Sequence, residues 1–356
     1  MLKFKKSVKI AGTLIDEKSP VFIIAEAGVN HNGDLDMARA LVDSAKRAGC
    51  DAVKFQSFKA ENLVVRKAPK ARYHKETTRG EDSWFDILKT QELDGPFHRQ
   101  LIKHCLKKDI IFLSTPYDFE SADLLDELNV PAFKIAATDS NNTPFLRYIA
   151  RKRRPVILST GMCDMAEIKC SLRAIREGGC KDLILLHCTS NYPQALEDSN
   201  LRAMATMKDA FGCLVGYSDH SHGFVTAVAT VALGARVFEK HITLDKNLPG
   251  PDHRFAFMPD ELSELVSLIR DTEKAMGKRE KICTKSEYKN SKILRKSIVS
   301  KVDIPKDTII NRDMLVIKRP GTGIKPEELD KILGSRSKRR IRKDSVIKYD
   351  HLIKRG

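Results

Sequence analysis

The sequence predicts an α/β protein, a (β/α)8 TIM barrel followed by a small, mostly β domain, and three observations carry that prediction. Short β-branched or apolar runs alternate with helix-length segments from about residue 21 to residue 277, the rhythm of repeated βα units and a parallel sheet. The runs number eight, which suits a closed barrel better than the structural alternative, an open doubly wound sheet. At 356 residues the chain exceeds the roughly 250–300 at which one hydrophobic core stops growing, so a second, smaller domain is expected.

The strands are read at Val21–Ala25, Ala52–Gln56, Ile110–Ser114, Ala132–Ile135, Val156–Ser159, Leu183–His187, Leu214–Tyr217 and Val237–Lys240. Amphipathic helices are expected between them at Leu35–Ala48, Pro96–Lys107, Met165–Glu177, Phe224–Leu233 and Pro259–Ala275. Asp164 stands ahead of one helix as an N-cap, and Gly49, Gly178 and Gly234 follow the ends of others. Ahead of the barrel, Lys3–Ile15 alternates weakly around Gly12 and reads as a hairpin that closes the barrel bottom. From Lys278 to Ser291 the chain turns polar and charged, a linker by composition. Beyond it lie short strand-like pieces, Ser297–Val302, Thr308–Ile310, Leu315–Ile317 and Ser345–Lys348, separated by Pro305, Pro320, Gly321 and Gly323. These readings set the barrel at 1–280, the linker at 281–292 and the tail domain at 293–356.

Composition narrows the class. No apolar run approaches the roughly 18 residues needed to cross a bilayer, and Met1–Lys9 lacks the apolar stretch of a signal peptide, so a soluble, cytoplasmic protein is expected. Eight cysteines are scattered without a CxxC pair, which fits reduced thiols better than disulfides or a zinc cluster. The net charge of +16 sits mostly in the tail, where Lys281–Gly356 holds 22 Lys/Arg against 9 Asp/Glu. No aromatic residue interleaves with Lys338, Arg339, Arg340, Arg342 and Lys343, so this run reads as a solvated or anion-attracting face rather than a nucleic-acid site.

Polar residues recur where each expected strand ends, and in a barrel those ends converge on one mouth. The series is Glu26; Lys54 and Gln56; Thr115; Lys134 and Asp139; Ser159; His187 through Tyr192, with Ser190; Ser218, Asp219 and His220; and Glu239 and His241. Singly each has an ordinary explanation: His187 reads as a satisfied core histidine, and either lysine as one half of an ion pair in the barrel wall. Together they do not, because barrel interiors hold branched apolar residues and buried charges are costly unless paired or bound to a charged ligand. Two lysines with several hydroxyls suit a phosphorylated, carboxylated small molecule. His220 and His241, accompanied by Asp219, Glu239 and Asp252, suit an octahedral divalent ion such as manganese better than structural zinc.

The stretches IIAEAGVNHNGD (23–34), AVKFQSFKAENLV (52–64), FLSTPYD (112–118), FKIAATDSNN (133–142), ILSTGM (157–162), HCTSNYP (187–193), GYSDHS (216–221), EKHITLDK (239–246), PGPDH (249–253) and VIKRPGTGI (316–324) resemble the sialic acid (N-acetylneuraminate) synthase family, which includes legionaminic and pseudaminic acid synthases. The resemblance spans nearly the whole chain. It implies a TIM barrel with an antifreeze-like (SAF) tail, and a metal-dependent condensation of phosphoenolpyruvate with N-acetylmannosamine that releases phosphate. It further implies Mn2+, with Mg2+ or Co2+ as substitutes, on His220 and His241. Lys54 and Lys134, with Ser159, Ser190 and Ser218, would hold phosphoenolpyruvate. Glu26 and Asp139 would transfer protons or bond substrate hydroxyls, and Gln56, Tyr192, Thr115 and Asp252 would position substrate. Arg319, in KRPGTG, would reach the sugar in the other subunit of a domain-swapped homodimer.

Two positions depart from the family pattern: Ala137 stands where serine is usual, and Asp139 where many bacterial members carry glutamate. Legionaminic acid synthase, acting on a 6-deoxy-2,4-diacetamido hexose, is the first alternative, with pseudaminic acid synthase beside it. The SAF tail argues against a synthase that uses a sugar phosphate. Intact His220, His241 and Lys54 argue against a non-catalytic polysaccharide-related protein.

Overall fold

The computed structural model describes residues 4–78 and 83–353, so Lys3 of the expected hairpin lies outside the described residues. The chain forms two compact units, Met1–Gly277 and Lys278–Gly356.

The first unit opens with an antiparallel hairpin, β1 (Ser7–Ile10) and β2 (Thr13–Asp16), turned through Gly12 at φ +90°. Eight parallel strands follow: β3 (Phe22–Gly28), β4 (Ala52–Ser57), β5 (Ile111–Pro116), β6 (Phe133–Ile135), β7 (Val156–Ser159), β8 (Leu183–Cys188), β9 (Leu214–Asp219) and β10 (Val237–His241). Their hydrogen-bonded order is β5-β4-β3-β10-β9-β8-β7-β6. β5 and β6 pack side by side, so the sheet comes round to a nearly closed barrel. All eight expected strands are present, several running further at their C-terminal ends.

Strand side chains alternate between two environments. Phe22 and Ile24 of β3, Ala52 of β4, Leu113 of β5, Ile157 of β7, Ile184 and Leu186 of β8 and Leu214 of β9 point inward, and they pack on Val8, Ile10 and Ile15 of the hairpin. The hairpin therefore fills the N-terminal end of the barrel, as its alternation predicts. Each such branched side chain contributes about 1.5–3 kcal/mol by leaving water. The intervening residues, among them Ile23, Val53, Phe133, Leu158, Leu185 and Phe238, join the larger core with the surrounding helices.

The helices start and stop where local chemistry dictates. Asp34 accepts the Met37 N–H at 2.8 Å ahead of helix Leu35–Ala48, which ends at Gly49 with φ +86°. Asp164 and Glu167 form a capping box ahead of Met165–Glu177. There the left-handed residue is Gly179 at φ +98°, one position beyond the expected Gly178, which keeps a right-handed conformation. Between β4 and helix Gly95–Lys108 the chain makes a long excursion with short helices Ala60–Leu63, Arg72–Thr77 and Trp84–Lys89.

The second unit has its own core of Ile298, Ile304, Ile310, Ile324, Ile341 and Ile347. Its ladders pair β11 (Ser297–Ser300) with β12 (Leu315–Lys318), and β13 (Arg336–Ser337) with β14 (Leu352–Ile353). The expected strands Thr308–Ile310 and Ser345–Lys348 are reduced to isolated bridges, Ile309 to Arg336 and Val346 to Val299. Part of the segment read as a linker, Lys285–Leu294, is helical, begun by a capping box between Thr284 and Glu287. The helix buries no residue, and its apolar side chains, Tyr288, Ile293 and Leu294, are exposed and do not line up as one stripe. All eight cysteines are free thiols, with Cys170 and Cys283 exposed.

Candidate active site

Continuing the inward side of each strand toward its C-terminal end leads into a cavity of ≈ 500 Å³. Glu26, Lys54, Gln56, Thr115, Lys134, Ser159, Ser190, Tyr192, Ser218, His220, His241 and Asp252 all line it, so twelve of the fourteen expected site residues come together.

At its floor the charges form a row. Lys54 Nζ pairs with Glu26 Oε2, lies 3.8 Å from Glu239 Oε1 and donates to Thr115 Oγ1 at 3.1 Å. Lys134 Nζ lies 3.4 Å from the same Glu239 oxygen and donates to Ser159 Oγ at 2.8 Å. Gln56 donates to Glu26 Oε1 at 3.1 Å, and Ser218 to Glu239 Oε1 at 3.0 Å. Burial disfavours charge on both lysines. For Lys54 the attraction of Glu239 and Glu26 outweighs it and raises the pKa, whereas Lys134, repelled by Lys54, stays below the ordinary lysine value. Burial raises the Glu26 carboxyl, while Lys134 and Lys54 overcome the same burial at Glu239 and lower it. Glu239, grouped in the sequence with the metal residues, instead bridges the two lysines.

His220 and His241 lie 5.6 Å apart between ring centroids, with Tyr192 packed 4.1 Å from the first and 5.9 Å from the second. Burial lowers the His220 pKa to about 4, and burial together with the neighbouring His220 takes His241 well below its ordinary value. Both rings are therefore neutral and offer lone pairs. His220 Nδ1 contacts the Thr189 carbonyl, and the buried His241 Nδ1 has no hydrogen-bond partner among the described residues. Two neutral imidazoles, one with an orphaned nitrogen, fit a divalent cation. Among the described residues no group of three or more His, Cys, Asp or Glu side chains forms a cage, so substrate and water would complete its coordination.

Several expected residues lie elsewhere. Asp139 sits in the turn Ala137–Asp139 after β6 and accepts from Asn142 Nδ2 at 3.1 Å; it does not line the cavity. Asp219 points to the outer side of β9 and accepts from Lys240 Nζ at 2.7 Å. His187 is also on the outer side of its strand and contacts the Ser199 carbonyl at 2.9 Å, as a satisfied core histidine would. Arg319 belongs to the second unit, where it is exposed. The cavity also contains residues the strand-end pattern passed over. Tyr117 follows β5 in inward phase, and burial raises its phenol well above the ordinary value. Leu63, Val64, His74, Trp84, Leu88 and Gln91 come from the excursion after β4, where no strand periodicity marks them.

Comparison with known proteins gives the fold its relatives. The NeuB family model matches residues 41–281, and the SAF domain model matches residues 295–353. An N,N'-diacetyllegionaminic acid synthase of Campylobacter jejuni is 47% identical, over 92% of this chain and 98% of its own length. The synthase of the same name from Legionella pneumophila is 42% identical, over 93% of this chain and 94% of its own. The crystal structure of an N-acetylneuraminic acid synthetase from Leptospira borgpetersenii, in complex with citrate, superposes with a TM-score of 0.72 at 33% identity, covering 82% of this chain and 96% of that one. With its inward row of lysines and glutamates, its paired imidazoles and its separate small β unit, the chain belongs to the NeuB family and carries a SAF domain.

Proposed function

We propose that this chain joins phosphoenolpyruvate to a 6-deoxy-2,4-diacetamido hexose with release of phosphate, as a legionaminic acid-type synthase. The observation that carries the chemistry is the row Lys54–Glu239–Lys134, which with Thr115, Ser159 and Ser218 faces two neutral imidazoles in one cavity. The acceptor is chosen on the two legionaminic acid synthases that share over 40% of their residues with the chain. It replaces the N-acetylmannosamine expected from the sequence.

In this reaction C3 of phosphoenolpyruvate bonds to the aldehyde carbon of the open-chain sugar, water adds to C2, and the C–O bond to phosphate breaks. Lys54 and Lys134 hold the carboxylate and phosphate, with Ser159 and Ser190 supplying hydroxyl donors. Glu26, fixed by Gln56 at one oxygen and Lys54 at the other, moves a proton at the sugar carbonyl oxygen. His220 and His241 would hold a divalent cation, manganese with magnesium or cobalt as substitutes, which when bound would supply Lewis-acid polarisation of the aldehyde. The same proposal includes a homodimer in which Arg319 of the partner subunit reaches the sugar.

The test is to incubate purified protein with phosphoenolpyruvate, Mn2+ and a panel of N-acetylated hexosamines, and to weigh the products. A product with the mass of the 6-deoxy-2,4-diacetamido hexose plus phosphoenolpyruvate plus water less phosphoric acid supports the proposal. Release of phosphate with no acceptor consumed contradicts it.

A further inference from the structure

Part of the cavity has a different chemistry from its charged floor. The excursion after β4 contributes Leu63, Val64, Trp84 and Leu88, which pack with Val29 and Phe58 in a small hydrophobic cluster apart from the two barrel cores. His74 stacks on Trp84 at 3.9 Å with 17° between ring planes, which stiffens this wall. Beside it lies Gln91, only 3% exposed, lining the same cavity. Its Oε1 has no hydrogen-bond partner among the described residues.

A buried amide oxygen without a donor has lost its hydration with nothing in return, so a ligand that brings an N–H to it is favoured. Phosphoenolpyruvate cannot serve, because its ionised groups only accept. What suits an acceptor oxygen next to an apolar wall is a secondary amide ending in a methyl group, that is, an acetamido group. The acceptor proposed above has two. The one at C2 adjoins the reacting aldehyde and stays with the imidazoles and lysines, whereas the C4 acetamido group and the C6 methyl extend away from the reacting carbon. We infer that Gln91 Oε1 accepts the C4 acetamido N–H, and that Trp84, Leu63, Val64 and Leu88 receive the acetyl methyl and the C6 methyl. This segment selects diacetamido-deoxy sugars over those with hydroxyls at C4 and C6. The inference rests on the proposed function and deepens it.

The experiment compares kcat/KM for the 2,4-diacetamido-6-deoxy hexose, for its analogue with a C4 acetate ester in place of the amide, and for N-acetylmannosamine. The ester keeps the methyl and loses the N–H, so the unaltered protein should use it about tenfold less well. In Gln91→Leu that preference for amide over ester should vanish, and the preference for the diacetamido sugar over N-acetylmannosamine should fall about tenfold, with the KM for phosphoenolpyruvate unmoved. Equal use of amide and ester by the unaltered protein overturns the inference while leaving the proposed function intact, and needs no variant to fold. A Gln91→Leu protein that loses all acceptors equally does the same. Conversion of N-acetylmannosamine but not of the diacetamido sugar by the unaltered protein overturns both.

Discussion

His220 Nδ1 lies 2.7 Å from the Thr189 carbonyl oxygen, and because a carbonyl only accepts, that nitrogen carries the ring proton. Nε2 is then left with its lone pair, the form a cation binds. Replacing His220 or His241 by Ala should lower activity and manganese content together, by at least about 100-fold in kcat/KM. Metal analysis and steady-state kinetics on the same samples check this. Full activity after exhaustive chelation would remove the metal from the account.

Lys54 and Glu26 form a buried pair, so removing one partner leaves a charge in the interior. Lys54→Met should destabilise the protein by about 3–5 kcal/mol, and adding Glu26→Gln should restore part of that loss. Urea unfolding of the single and double variants measures the coupling. With the other substrate saturating in each case, Lys134→Met should raise the KM for phosphoenolpyruvate far more than that for the acceptor; equal losses would indicate a structural lysine.

A methyl group on Gly161 would lie 2.3 Å from Ser190 Oγ, 2.8 Å from Cys188 Sγ and 3.1 Å from Ala137 Cβ. Gly161→Ala should displace the Ser190 hydroxyl and raise the KM for phosphoenolpyruvate by about 10- to 100-fold. Ala137→Ser should act oppositely, lowering that KM by about two- to tenfold as it adds a donor to the same corner. No change in either would place the anion elsewhere in the cavity.

His31 is fully buried, and its Nδ1 accepts the Gly33 N–H at 2.9 Å. Burial, with His98 and His253 nearby, lowers its pKa from 6.5 to about 4. The unfolded chain therefore binds the proton that the folded chain refuses between these values. Stability from this group is present at neutral pH and lost as pH falls from about 6.5 to about 4, by up to roughly 3 kcal/mol. Unfolding free energies across this range should slope less steeply in His31→Phe than in the unaltered protein.

If each site combines one barrel with Arg319 of the partner subunit, mixing inactive His241→Ala with Arg319→Ala should restore activity only after subunits exchange, since a heterodimer then holds one intact site. Continued inactivity in verified heterodimers would exclude the crossover.

Most of the site was legible because a strand has period two and a barrel gathers its strand ends. Glu26, Lys54, Lys134, Ser159, Ser218, Glu239 and His241 each continue the inward phase of an apolar strand residue such as Ile24, Ala52, Ala132, Ile157, Gly216 or Val237. The same phase assigns Asp219 and His187 to the outer face, information present in the sequence but outweighed by their proximity to other polar residues. Asp139 follows a strand of three residues, where a tight turn rather than strand phase sets direction. The excursion carrying Trp84 and Gln91 has no barrel periodicity, so only tertiary packing brings it to the cavity. The helix Lys285–Leu294 was hidden for a different reason, its few apolar residues, Tyr288, Ile293 and Leu294, being exposed and not spaced as one helical stripe, although Thr284 and Glu287 spell its capping box.

The most direct test is a competition. Equimolar N-acetylmannosamine and 2,4-diacetamido-6-deoxy hexose are offered with limiting phosphoenolpyruvate and Mn2+, and the nine-carbon products are weighed. The account predicts that the diacetamido product exceeds N-acetylneuraminate by at least about tenfold, the equivalent of some 1.4 kcal/mol of acceptor discrimination. A majority of N-acetylneuraminate, or no nine-carbon product from either sugar, would contradict it.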